Sequence, residues 1–422
     1  MHTRWTQWME RAGGMPAWCP RALAWTAAAV LWFDPTSGVV TAILAGAGGF
    51  GLWNWRRTLV AWKNPVGLLW GLGVLWALAS LGWSFHPAGS ARDLVKAAPM
   101  ALAALAVPVI FDRPGRVWGA VTASAVLITA RLALDLVRIF RLLGWSWALV
   151  AARYLHPYLY THPNVSSMMA GLCALVFAAW WLTGAPRRGG HLLLALGLAL
   201  DLVYLGVMAS RGPQLIFVLA MLAFPLILLP GWRLRLVAAV LAVALGAGLW
   251  QVLPKVNPRF RDRTMVDFNQ RGRIWSHVRR LAARQPVQGY GFGKKAFVKA
   301  VYEHPEVRPP RAPFRYPHAH SYWLMLVIQG GAVGTALWGL GWLALVVRLG
   351  RCAARAERQA KNWLERLRAR LLPALLATGM GFILVYGIGD YPDNVIRHAQ
   401  FFLAGLALAW TLTVAGRSER VT

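Results

Sequence analysis

The chain has 422 residues, 58% of them hydrophobic, and carries a formal net charge of +30. Its mean hydropathy is +0.47. These values exclude a soluble globular protein of this size and point to a membrane chain with far more cations than topology alone requires.

Arg4, Arg11 and Arg21 precede the first apolar run, and no small-residue cleavage site follows it, so a retained first helix is expected rather than a cleaved signal peptide. Twelve predicted spans then follow in order. They cover about 22–33, 39–55, 65–85, 93–111, 117–137, 165–182 and 191–209, then a run ending near Pro230 and another from Arg233 to about 253. The last three cover about 321–347, 371–388 and 400–414. Between the fifth and sixth spans, a segment with Trp145, Trp147 and Arg153 reads as amphipathic and interfacial. The chain also contains 24 tryptophans, which suit the headgroup belts on both faces.

Orientation follows from the Lys and Arg asymmetry of the connections. Arg56-Arg57-Lys63, Arg113 with Arg116, Arg187-Arg188, Arg233 with Arg235, and the Arg348 to Arg370 stretch all lie on one side. Asp34-Pro35 and Asp390-Tyr391-Pro392-Asp393 lie on the other. The expected fold is therefore an all-α polytopic membrane protein of about twelve transmembrane helices, with both termini in the cytoplasm. It divides into spans over 1–253, a basic outward loop over 254–320 and spans over 321–422. None of Cys19, Cys173 and Cys352 falls in an outward loop, so neither a disulfide framework nor a Cys-based metal site is read.

The outward side breaks the charge rule. Arg211 sits in a short turn, Ser210-Arg211-Gly212-Pro213, and the outward loop holds Arg259, Arg261, Arg263, Arg271, Arg273, Arg279, Arg280, Arg284, Lys294, Lys295, Arg308, Arg311 and Arg315. A planar guanidinium fork matches phosphate oxygens, so an outward ligand with several phosphates explains the placement. A solvated basic surface on anionic headgroups is the blander alternative. Lys96, Arg131 and Asp135 fall in the outward halves of their spans and Asp201 nearer the middle, where charges face a cavity or a partner. Arg131 and Asp135 are four residues apart and can pair with each other.

The loop ends at Arg315-Tyr316-Pro317-His318-Ala319-His320-Ser321, directly before an apolar run. Histidine exchanges a proton near neutral pH, and a histidine where a loop enters the membrane can meet a lipid-borne substrate. An interfacial anchor for the helix end is the plainer alternative. His318 and His320 are two apart, but no outward third ligand stands at a recognisable spacing, so no metal site is expected. Gly289-Tyr290-Gly291-Phe292-Gly293 is no dinucleotide fingerprint, because no βαβ unit surrounds it. Asp390, in Gly389-Asp390-Tyr391, reads as an acidic loop end, with assistance to acid-base chemistry as the alternative.

Taken together, His320-Ser321 with the spaced Gly331-Ala332-Val333-Gly334, the Ser210-Arg211-Gly212 turn, Arg271 four residues ahead of Trp275, the Pro286 to Gly293 turn, and Asn164 resemble the O-antigen ligase and polymerase superfamily. Ser321 and Gln329 stand where many relatives have Asn and Glu. The resemblance implies a GT-C-like transferase of the bacterial inner membrane, multi-pass, with a large periplasmic loop and an active site facing the periplasm. It implies transfer of polysaccharide from undecaprenyl diphosphate to a lipid A-core sugar hydroxyl, inverting and metal-independent. His320 would be the base, with Arg211, Arg271, His318, Arg315 and Arg273 binding substrate. The expected partners are the lipid-linked glycan, the lipid A-core oligosaccharide and membrane lipids, with no cofactor and no nucleic acid. A polymerase or protein O-glycosyltransferase using the same donor, or a transporter of the lipid-linked glycan, are the competing readings.

Overall fold

The computed structural model describes residues 38–143, 163–182, 188–208, 210–256, 271–307, 316–390 and 394–418. The first predicted span, the Trp145 to Arg153 segment and Arg315 lie outside these residues. Among the described residues the secondary structure is entirely helical. The helices are α1 (Gly38–Trp53), α2 (Trp55–Trp62), α3 (Pro65–Ala79), α4 (Pro87–Ile110), α5 (Pro114–Leu143), α6 (Pro163–Trp181) and α7 (Arg188–Met208). They continue with α8 (Arg211–Leu228), α9 (Trp232–Val256), α10 (Arg271–Ala282), α11 (Lys294–Glu303), α12 (Tyr322–Arg358), α13 (Trp363–Gly389) and α14 (Asn394–Ser418). Nine of the described helices are long and apolar enough to cross a membrane, and Ala399–Val414 of α14 is a shorter apolar stretch. This is an α-helical polytopic membrane protein.

Several helices begin earlier or run further than apolar content alone predicts, because polar caps and good helix formers extend them. His86 accepts from Gly89 N at 3.0 Å, and with Pro87 at the first position it starts α4 six residues before Asp93. Asn362 accepts from Glu365 N at 2.9 Å and Glu365 reaches back to Lys361 N at 2.9 Å, which starts α13 in charged sequence well before Leu371. Arginine, alanine and leucine carry α12 on to Arg358, past the apolar limit near Val347. The polar ends therefore project beyond the apolar stretch.

Helices α6 and α13 are the most enclosed, whereas none of Trp232–Leu249 in α9 is buried. Helix α6 packs on α5, α7, α8 and α13, and α12 packs on α3, α13 and α14. Small residues let helices approach closely: a Cβ on Gly51 would lie 2.9 Å from the Ala106 Cβ of α4. A second, smaller core of Ile274, Val278, Leu281, Tyr290, Phe297, Val301, Tyr316 and Met325 joins α10 and α11 to the start of α12. Its seat is the end of the bundle where α4, α6, α8 and α12 begin and α7 and α13 finish.

Candidate active site

The starts of α6, α8, α10 and α12, the finish of α13 and one bent loop converge at that end. Ser321 caps α12 by accepting from Leu324 N at 3.4 Å and donates to Gly387 O of α13 at the same distance. Tyr322 N donates to Asp390 O at 3.1 Å and Trp323 Nε1 to Leu384 O at 3.2 Å. The start of α12 is thus sewn to the finish of α13. His320, held between the loop and this seam, has φ +48, a left-handed conformation rare for a side chain with a Cβ. Such strain persists where surrounding bonds enforce it, and it is frequent at functional sites.

Asp390 is the hub. Its Oδ2 accepts from Asn164 Nδ2 at 3.1 Å, Tyr386 OH at 3.2 Å and Arg271 Nη2 at 3.3 Å. Its Oδ1 lies 3.6 Å from His320 Nδ1. Arg271 Nη1 also donates to Gly389 O. Asn164 Oδ1 in turn accepts from Ser210 Oγ at 2.8 Å. Three donors thus converge on Oδ2, while Oδ1 faces the imidazole. The Nδ1 edge of His320 is buried while 31% of its side chain is exposed, which leaves the other edge of the ring open.

His318 lies against His320 with ring centroids 4.2 Å apart and ring planes tilted by 60°, and its Nδ1 accepts from His320 N at 3.2 Å. Burial, the neighbouring His320, and the charges of Lys294 and Arg271 push His318 down to about 4, against the opposing pull of Asp390. His318 is therefore neutral at neutral pH and serves as an acceptor beside its neighbour.

The structure gathers His320, His318 and Arg271 with the motif residues Asn164 and Ser210, and adds Tyr386 and a central place for Asp390. Arg271 is not a loose cation waiting for ligand, because Asp390 and Gly389 already orient it. Arg211 is the first residue of α8 rather than a turn residue, half-buried and one position after Ser210. Arg273 is turned about 200° around α10 from Arg271. From sequence, Asp390 reads first as an acidic loop end and only second as an aid to acid-base chemistry. The signal available was its place directly after a span on the basic, outward side, close to where His320 begins another.

The glycines of the histidine motif have a separate task. Gly331 has φ +61 inside α12, and a Cβ there would meet Val287 O at 2.2 Å. The interruption lets the Pro286 to Gly291 loop bond into the helix: Tyr290 N donates to Ile328 O at 2.7 Å and Ala332 N to Pro286 O at 2.7 Å. Gly289 takes φ +69 with its Cβ position 2.5 Å from Ile328 O, so only glycine fits either side of the contact. The motif fixes the loop between α10 and α11 to the helix that follows His320.

A search of curated proteins returns no match to this chain. A family model described as O-antigen ligase matches residues 194–339, a segment holding Arg211, Arg271, Arg273, Arg315, His318 and His320 and leaving Asn164 and Asp390 outside. Over that segment, which carries the basic loop and the histidine pair, the chain is similar to the O-antigen ligase family.

Proposed function

We propose that the protein is an O-antigen ligase that moves a glycan from undecaprenyl diphosphate to a lipid A-core sugar hydroxyl at the outer face of the bacterial inner membrane. The observation that carries this reading is the His320–Asp390–Arg271 constellation at the end of the bundle where the basic loop packs. His320 takes the proton of the acceptor hydroxyl on its open edge, while Asp390 faces Nδ1 and steadies the cationic ring. The hydroxyl oxygen bonds to the anomeric carbon as the bond from that carbon to the diphosphate oxygen breaks. The electron pair leaves with the diphosphate, and one displacement inverts the centre.

The leaving diphosphate gathers charge as it departs, so preorganised cations favour the transition state. Arg271, held by Gly389 O and Asp390, offers one oriented guanidinium. Arg211, at the first turn of α8, supplies a second beside the helix's own positive end. Arg273 and Arg315 complete the basic surround proposed for the glycan-bearing diphosphate. No divalent cation is needed in this scheme.

Purified protein mixed with lipid-linked donor and lipid A-core tests the reading, because a ligase yields a higher-mass conjugate and a transporter yields none. His320→Ala should reduce transfer by about 10²–10⁴-fold with donor binding retained. Wild-type turnover by that variant, or loss in His318→Ala instead, removes His320 from the role. Activity should survive excess EDTA; loss restored by Mg²⁺ would replace the arginine scheme.

A further inference from the structure

Helix α4 carries charge where a membrane helix ordinarily has none. Lys96 lies nine residues into α4 from Pro87, about 13 Å along the axis by the rise of a helix. Arg92 stands one turn nearer the site end, and both side chains are exposed. Val95 between them is 72% exposed, so this face looks out of the bundle. A lysine at such depth is costly in hydrocarbon unless it reaches a partner, and neither Arg92 nor Lys96 forms an ion pair among the described residues.

The same helix is joined to the active site through α11. Asp93, between Arg92 and Lys96, accepts from Lys294 N at 2.9 Å and so holds the first turn of α11 against α4. The Lys295 side chain lies across the backbone at Gly89, where a Cβ would meet its Cβ at 2.7 Å. Lys294 is exposed, and its charge acts on the His318 ring, which lies against His320. Lys299 is matched by Glu303 at 3.5 Å and Asp93 is engaged by the helix start, so Arg92, Lys96, Lys294 and Lys295 keep their charge for something else. A cationic seam therefore runs from lipid depth on α4, over the start of α11, to the histidine pair.

We infer that this α4–α11 seam is the binding track for a phosphate group of the lipid-borne acceptor, with Lys96 and Lys294 as its two main contacts. The inference rests on the proposed ligase reading. Ligation brings two lipid substrates to one base, and that reading gives the donor diphosphate to Arg211 and Arg271, on α8 and α10. The seam belongs to other helices and reaches the histidines through Lys294. Ammonium groups on flexible stems suit a phosphate arriving within the membrane, because they can follow it from the lipid to the headgroup level.

The test uses the full chain in lipid nanodiscs, with bisphosphorylated lipid A-core as acceptor and the same glycolipid after phosphatase treatment. Lys96→Gln combined with Lys294→Gln should raise KM for the phosphorylated acceptor about tenfold or more, with donor KM within about twofold of wild type. The defect should vanish with the dephosphorylated acceptor, which wild type and variant should use equally poorly. A rise in donor KM instead assigns the seam to the donor, and an equal defect with both acceptors reduces it to a structural surface; either overturns the inference, as does wild-type behaviour. Native mass spectrometry of bound lipid A, competed with phosphatidylglycerol, supplies a readout independent of turnover. Selective retention of lipid A by wild type and its loss in the variant supports the seam even if no transfer is observed, which separates its failure from that of the ligase reading. Retention of phosphatidylglycerol just as strong means general headgroup attraction only, and also overturns it.

Discussion

At the scale of single residues, Asp390 and His318 shape what His320 can do. Asp390 gathers donors from α6, α10 and α13 onto Oδ2 and leaves Oδ1 toward the imidazole. Asp390→Ala would release Arg271 and His320 together, and a misplacement of about 1 Å is worth about a hundredfold in rate. A fall in kcat of that order is expected in both Asp390→Ala and Asp390→Asn, with the folded protein still recovered from the membrane; near wild-type turnover would remove Asp390 from the positioning role. His318 makes a separate claim on pH. Its folded value, about 4, lies below the ordinary 6.5, so the unfolded chain takes up a proton first as pH falls. The stability this group contributes is complete above about 6.5 and is lost as pH drops toward about 4. Melting temperature followed across that window should fall less steeply in His318→Gln than in wild type.

At the scale of elements, the spaced glycines act through the backbone. Gly331 breaks α12 so that a loop can bond into it, and Val287 O occupies the place of any Cβ. A residue forced into that conformation costs about 1–3 kcal/mol before the clash is counted. Gly334 meets only the Trp76 ring, with its Cβ position 3.1 Å from Cδ1, and that ring can shift. Gly331→Ala should therefore lower thermal stability and transfer well below wild type, with Gly334→Ala clearly milder. Equal tolerance of both substitutions would mean that the loop is not anchored through this break.

At the scale of the whole molecule, the bundle puts all the candidate catalytic groups at one end and the Arg348 to Arg370 hairpin at the other. Arg370 ties that far end together, pairing with Glu357 at 2.6 Å and donating to Ile227 O at 2.7 Å. Val287 and Trp363 are exposed at opposite ends, at 60% and 53%. Cys173 and Cys352 are buried, so single introduced cysteines report cleanly once Cys19 is replaced. In cells with a permeable outer membrane, Val287→Cys should react with a membrane-impermeant maleimide, and Trp363→Cys should react only after the inner membrane is opened. The reverse pattern would turn the active site toward the cytoplasm.

Apolar period and length were sufficient to read an α-helical membrane bundle, because a lipid-embedded backbone must satisfy its own hydrogen bonds and helices do so within one segment. Charge asymmetry likewise placed His320, Arg211 and Arg271 on a common side, since sidedness is written locally in each connection. The role of Asp390 was not legible in that way. It lies 70 residues beyond His320 and 226 beyond Asn164, and no local pattern encodes contacts across such separations. Only the packing of α6, α10, α12 and α13 decides that one carboxylate serves all of them. The same holds for Gly331: its sequence neighbours read as continuous helix, and it is the carbonyl of Val287, brought in by tertiary packing, that requires the helix to break there.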